Sequence, residues 1–155
     1  MAFSDKQVRA LKAKLAHRYV KTRSSNGVTL SYVEGWHVIA EANRIFGFEN
    51  WDRRTLEPRC LWTRSENGNI VCFYATRVRI KVRAGETTIV REGTGTGIGR
   101  SSQADVAHEI ALKAAETDAT KRALATFGNP FGLALYDKCQ TGVSKPKRCD
   151  ASPTH

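Results

Sequence analysis

The chain has 155 residues, 41% hydrophobic and 26% charged, the composition of one globular domain; it excludes a disordered chain and two full-sized domains. No run approaches the roughly 20 apolar residues of a membrane span, and the opening MAFSDKQVRALK has no apolar signal core, so a soluble intracellular protein is expected. Twenty-five Lys and Arg against 15 Asp and Glu leave a net charge of +10, which favours a polyanionic partner through attraction to phosphates and release of their counterions.

The predicted elements follow in chain order. A first helix is expected from Asp5 to Tyr19. Ser4 and Gln7 have capping-box spacing, and Val8, Leu11, Leu15 and Tyr19 form one apolar stripe. KTRSSNG (21–27) reads as a basic turn ending in Asn26-Gly27, followed by a short strand, Val28 to Val33. A second helix is expected over Trp36 to Phe46, with Gly47 as its cap. Three strands, 50–62, 69–83 and 87–98, are separated by Asn67-Gly68 and Ala84-Gly85 and predict an antiparallel meander. A long alanine-rich helix fits Gln103 to Phe127, with Ser101 or Ser102 as cap and Gly128-Asn129-Pro130 as stop. The order α-β-α-βββ-α predicts an α+β fold, the meander packed on the long C-terminal helix. Residues 1–138 form the expected domain, and 139–155 a basic, flexible tail.

The cations are unevenly spread. Residues 1–33 hold Lys6, Arg9, Lys12, Lys14, Arg18, Lys21 and Arg23 against Asp5 alone. On the strand CFYATRVRIKVR (72–83), Cys72, Tyr74, Thr76, Val78, Ile80 and Val82 share one face, and Arg77, Arg79, Lys81 and Arg83 the other. Same-face neighbours lie ~6.5–7 Å apart, close to the phosphate spacing of a stretched single strand. Such a row of like charges needs either a polyanion or the acids of the long helix to answer it.

REGTGTGIGRSS (91–102) resembles a phosphate loop at first sight. Gly99-Arg100-Ser101 lacks the lysine of a P-loop, however, and the G-x-G-x-G-x-G spacing is not the dinucleotide fingerprint. A period of two puts Gly93, Gly95, Gly97 and Gly99 on one face of a strand, where a helix can approach closely. In ETDATKRALATFGN (116–129), Asp118 and Arg122 have ion-pair spacing, and Lys113, Thr117 and Lys121 step along one side of a helix. Cys60, Cys72, Cys139 and Cys149 have no zinc spacing, and His17, His37, His108 and His155 add no ligand pattern, so no metal is expected. No nucleophile–base set or clustered acids mark an enzyme, and no cofactor is expected. Tyr32, Trp36, Trp51, Trp62, Tyr74 and Tyr136 are available for stacking.

YVEGWHVIAEANRIFGFENWDRRT (32–55) and TDATKRALATFGNPFG (117–132), in that order and with a meander between them, resemble the two hallmark motifs of the Rad52 family of single-strand annealing recombination proteins. The resemblance spans roughly residues 5–138. It implies a homo-oligomeric ring of about ten or eleven subunits, whose basic groove holds single-stranded DNA with phosphates inward and bases outward, and which anneals complementary strands in homologous recombination and double-strand break repair without ATP. Carried over by motif, the inner-groove residues are Arg23, Tyr32, Lys113, Lys121, Arg122 and Lys138. An outer site is implied at Arg83, with Arg100 offset from its second position; Arg77, Arg79 and Lys81 share the sheet face with Arg83. Ala125 and Ile110 stand where the family has groove cations, which predicts weaker strand affinity or a shift toward Arg79 and Arg83. The length implies a short prokaryotic or phage-type homologue with the annealing domain only. It would be cytoplasmic and nucleoid-associated, with a single-strand-binding protein as a further partner. A monomeric double-stranded RNA- or DNA-binding module is the alternative that the βββ-α order also suits.

Overall fold

The computed structural model describes residues 2–145. Helix α1 (Asp5–Lys12) starts as predicted: the Ser4 hydroxyl accepts from the Gln7 N–H at 3.1 Å, and the Gln7 side chain accepts from the Ser4 N–H at 3.0 Å. It ends at Lys12, short of the predicted Tyr19, because Ala13 turns extended (ψ 150°). Leu15 then pairs with a segment distant in sequence. Its N–H donates to the Gly142 carbonyl, and its carbonyl accepts from the Ser144 N–H, each at 2.8 Å. Leu15 and Val143 are both buried, so two backbone hydrogen bonds and apolar burial outweigh one more helical turn. Residues 139–145 of the expected tail therefore include a segment bound to the domain. The remainder, 146–155, lies outside the described residues.

Strands β1 (Lys21–Ser25) and β2 (Val28–Tyr32) form an antiparallel hairpin. KTRSS, expected to be a turn, is a strand: its five residues pair with β2 and all stay exposed. Asn26 (φ 51°) and Gly27 (φ 77°) make the left-handed turn that the dipeptide favours. Helix α2 (Gly35–Phe46) buries Val38, Ala42, Ile45 and Phe46. Strands β3 (Trp51–Glu66), β4 (Asn69–Ala84) and β5 (Thr87–Ser101) build a sheet of order β3-β4-β5, longer than predicted but of the predicted topology. Helix α3 (Ala104–Ala125) packs on it. The predicted caps, Ser101 and Ser102, fall two residues and one residue early: Gln103 is the residue before the first turn, and the Ser101 hydroxyl accepts from its N–H.

The face of β4 carrying Val78, Ile80 and Val82 is buried beneath α3. Gly93, Gly95, Gly97 and Gly99 pair with Val78, Thr76, Tyr74 and Cys72 and so share that face. Cβ atoms added at Gly95 and Gly93 would lie 2.6 and 2.7 Å from the Ala115 and Ala119 carbonyl oxygens. The glycine series is thus a packing device, with the α3 backbone lying on the β5 backbone. Phe46 and Phe131 stack at 5.5 Å, and Phe127 closes edge-on at 5.1 Å, joining α2 to the end of α3.

Candidate nucleic-acid interface

Lys113, Thr117 and Lys121 recur every fourth residue, so they share a side of α3 away from its alanine contact face. The β1–β2 hairpin is fastened over that side. Lys121 Nζ donates to the Val33 carbonyl at 3.1 Å, and the Gln140 side chain donates to the Ser31 hydroxyl at 3.2 Å. Between hairpin, α3 and β5 runs a groove of about 930 Å³, lined by Arg23, Ser24, Ser25, Phe73, Thr96, Ile98, Lys113, Thr117, Asp118, Lys121 and Arg122. Lys121, Arg122 and Asp118 also line an adjoining hollow with Ser31, Tyr32, Phe131 and Tyr136. Five of the six inner-groove residues predicted from the sequence thus converge: Arg23, Tyr32, Lys113, Lys121 and Arg122.

Tyr32 ties two of the cations together. The Arg23 guanidinium lies 5.7 Å from its ring centroid and Lys121 Nζ lies 5.4 Å from it, a cation–π arrangement that spaces like charges across one ring. Burial lowers the Lys121 ammonium below its ordinary value; Asp118 opposes this, and Arg23 and Arg122 push it further down. Asp118 anchors this wall. Its Oδ2 accepts from the Thr96 N–H at 3.0 Å and from Arg122 Nε at 3.4 Å, joining the edge of β5 to α3 and orienting the guanidinium. The i,i+4 spacing revealed the Arg122 pair; nothing local in sequence signalled the Thr96 contact. Lys113 is held by Glu109 one helical turn back.

Lys138 is placed apart. It is exposed beyond the short helix Leu133–Tyr136 and is not among the residues lining the groove, although Tyr136 and Gln140 on either side touch the hollow and the hairpin. The sheet-face cations lie on the surface opposite α3. There the acids come from other strands of the sheet rather than from the long helix: Arg79 pairs with Glu92 at 2.8 Å, Arg77 with Glu92 at 3.6 Å, Arg83 with Asp52 at 2.8 Å and Arg100 with Glu66 at 3.0 Å. Lys81 has no ion pair among the described residues, and neither does any of the seven cations from Lys6 to Arg23. Among the described residues no group of three or more His, Cys, Asp and Glu is arranged to hold a metal ion, and no helix is long and apolar enough to cross a membrane.

The architecture is an α+β domain in which a hairpin clamps a basic groove against a helix lying on an antiparallel sheet. Residues 4–151 match the Rad52/22 family of double-strand break repair proteins, and the chain belongs to that family. It is 36% identical over 144 residues to the DNA repair and recombination protein rad22 of Schizosaccharomyces pombe, covering 88% of this chain and 30% of that one. It is 35% identical over 130 residues to the DNA repair and recombination protein RAD52 of Saccharomyces cerevisiae, covering 83% and 27%. The chain thus spans about a third or less of these relatives' length.

Proposed function

We propose that this protein binds single-stranded DNA in the hairpin–helix groove and anneals complementary strands during recombination and double-strand break repair. It acts as a homo-oligomeric ring and hydrolyses no nucleotide. The observation that carries the reading is the convergence of Arg23, Lys113, Lys121 and Arg122 on one groove, with the Tyr32 ring of the adjoining hollow against Arg23 and Lys121. Phosphate contacts of this kind hold a strand in register without reading its sequence. Specificity then comes from base pairing with the second strand, so the protein's task is to stretch and present, with no bond made or broken. The membership of a double-strand break repair family supports the cellular role. On the sheet face, Arg77, Arg79, Arg83 and Arg100 serve as an outer contact only when phosphates displace Glu92, Asp52 and Glu66, which makes that contact the weaker one.

The test is the double variant Lys121→Ala with Arg122→Ala. A charge-assisted hydrogen bond contributes about 1.5–3 kcal/mol, so oligo-dT affinity falls at least about tenfold, and annealing of complementary fluorescent strands slows with it, while the assembly keeps its mass. Unchanged affinity and annealing at moderate salt would refute the groove.

A further inference from the structure

Three apolar side chains stand in one row across the sheet, and the groove's cations do not account for them. Trp62 of β3 is the register partner of Phe73 on β4, and Phe73 that of Ile98 on β5. The row lies on the face opposite α3, because the chain neighbours Tyr74 and Gly97 point the other way. The Tyr74 hydroxyl meets His108 of α3 at 2.6 Å, and Gly97 lies against the Ala111 carbonyl. A β-bulge builds the row. The register of β3 slips between Cys60 and Trp62, so Leu61 is the extra residue and Trp62 takes the place opposite Phe73. The Trp62 and Phe73 rings stack at 5.7 Å with their planes 28° apart. The Arg64 guanidinium lies 4.0 Å from the Trp62 ring centroid and closes the far end. None of the three belongs to the buried core, and Ile98 is 56% exposed.

The row starts inside the groove. Phe73 and Ile98 line it together with Arg23, Lys113, Lys121 and Arg122. Helix and hairpin thus supply a wall of cations, and the sheet supplies a wall that is apolar. A nucleotide has the matching halves, a charged phosphate and a flat base. Rings accept the face of any base, so such a wall is indifferent to sequence. Stacking also uses the faces of a base and leaves its pairing edge free for a second strand. With strands about 4.8 Å apart the row is about 10 Å long, room for one or two bases.

We propose that Ile98, Phe73 and Trp62 form a base-stacking wall, which takes unpaired bases of the strand whose phosphates the cations hold. The proposal rests on the groove reading and deepens it: the groove recognises a single strand by its bases as well as by its charge.

The test compares oligo-dT with an abasic deoxyribose-phosphate chain of equal length, which carries the charge without the bases. Fluorescence anisotropy follows both across a salt series. Aromatic stacking contributes about 1–3 kcal/mol per base, so wild type is expected to bind oligo-dT at least about fivefold more tightly than the abasic chain. Trp62→Ala with Phe73→Ala brings the two affinities together by weakening oligo-dT alone. Its abasic affinity, salt slope, circular dichroism and assembly mass stay as in wild type. Trp62→Phe retains the preference because a ring is still present. Should the double variant fail to fold, Ile98→Asn, at the exposed end of the row, is expected to reduce the preference in a folded protein. Equal binding of the two ligands by wild type, or a preference that survives in the folded double variant or in Ile98→Asn, overturns the wall and leaves the groove standing. A lower assembly mass with the preference intact overturns it too, and makes the row a contact between copies. Loss of Lys121 and Arg122 is expected to weaken both ligands alike; abasic binding unchanged in that variant sinks the groove, and the wall with it.

Discussion

Lys121 is the residue on which the groove's chemistry turns. It is partly buried under the hairpin, gives one hydrogen bond to the Val33 carbonyl, and stands near Arg23 and Arg122 with Asp118 as its counter-charge. Its ammonium is therefore held below the ordinary 10.5, burial being the largest cause. A phosphate placed beside it favours the charged form, so strand binding takes up whatever proton the free protein has lost. The sign follows: affinity falls as pH rises through the lowered value, before an ordinary lysine would discharge. Folding stability moves the other way, because between the lowered and the ordinary value the unfolded chain binds more protons, and stability rises with pH there. Lys121→Arg keeps its charge throughout the range. Oligo-dT affinity measured from neutral pH upward should therefore decline earlier in wild type than in Lys121→Arg. Parallel profiles would mean that Lys121 does not meet the phosphates.

Among the elements, the junction of α3 and β5 decides whether the groove has a floor. Ala107, Ala111, Ala115, Ala119 and Ala123 are all fully buried and recur at about 6.0 Å along the helix. The same-face glycines of β5 recur at about 6.8 Å. The near match lets each glycine meet the helix backbone in turn, at a separation no side chain permits. Gly95→Ala is expected to destabilise by about 3 kcal/mol, the upper end for overpacking because rigid backbone lies on both sides; Thr96→Ala, on the exposed face, costs less than about 1 kcal/mol. Urea unfolding of the two variants checks this, and equal midpoints would contradict the backbone contact. This junction and its surroundings were legible in the sequence because their signals are local and periodic: glycines at a spacing of two, alanines at four, Asn-Gly at two of the three hairpin turns, a capping box at Ser4. What could not be read came from distant partners. The end of α1 is set by Gly142 and Ser144, and β1 exists only because β2 pairs with it, since KTRSS carries no apolar alternation. The acids that answer Arg77, Arg79 and Arg83 lie on adjacent strands, and only the register brings them there.

At the scale of the molecule, the surface left uncovered by one chain bears on assembly. Trp36 is 60% exposed and Phe48 is 82% exposed. They flank helix α2, one at its first turn and the other just beyond its end, while the helix itself packs inward through Val38, Ala42 and Ile45. The Trp36 indole is positioned rather than loose: its N–H donates to the Glu34 carboxylate, and it meets the His37 and Tyr19 rings edge-on at 5.8 and 6.3 Å. Large aromatics facing water at two ends of one helix are costly in a monomer and characteristic of a contact surface. If copies associate through this side, a polar substitution there removes an anchor without disturbing the fold, because neither ring is in the core. Phe48→Ser with Trp36→Ser should therefore reduce the assembly mass seen by analytical ultracentrifugation, toward the monomer at low concentration, with thermal unfolding of the subunit changed by only a few degrees. Annealing should fall more than oligo-dT binding, since each groove is built within one chain whereas a continuous track for a long strand needs neighbours. An assembly of wild-type mass in this variant would move the subunit contact to another face.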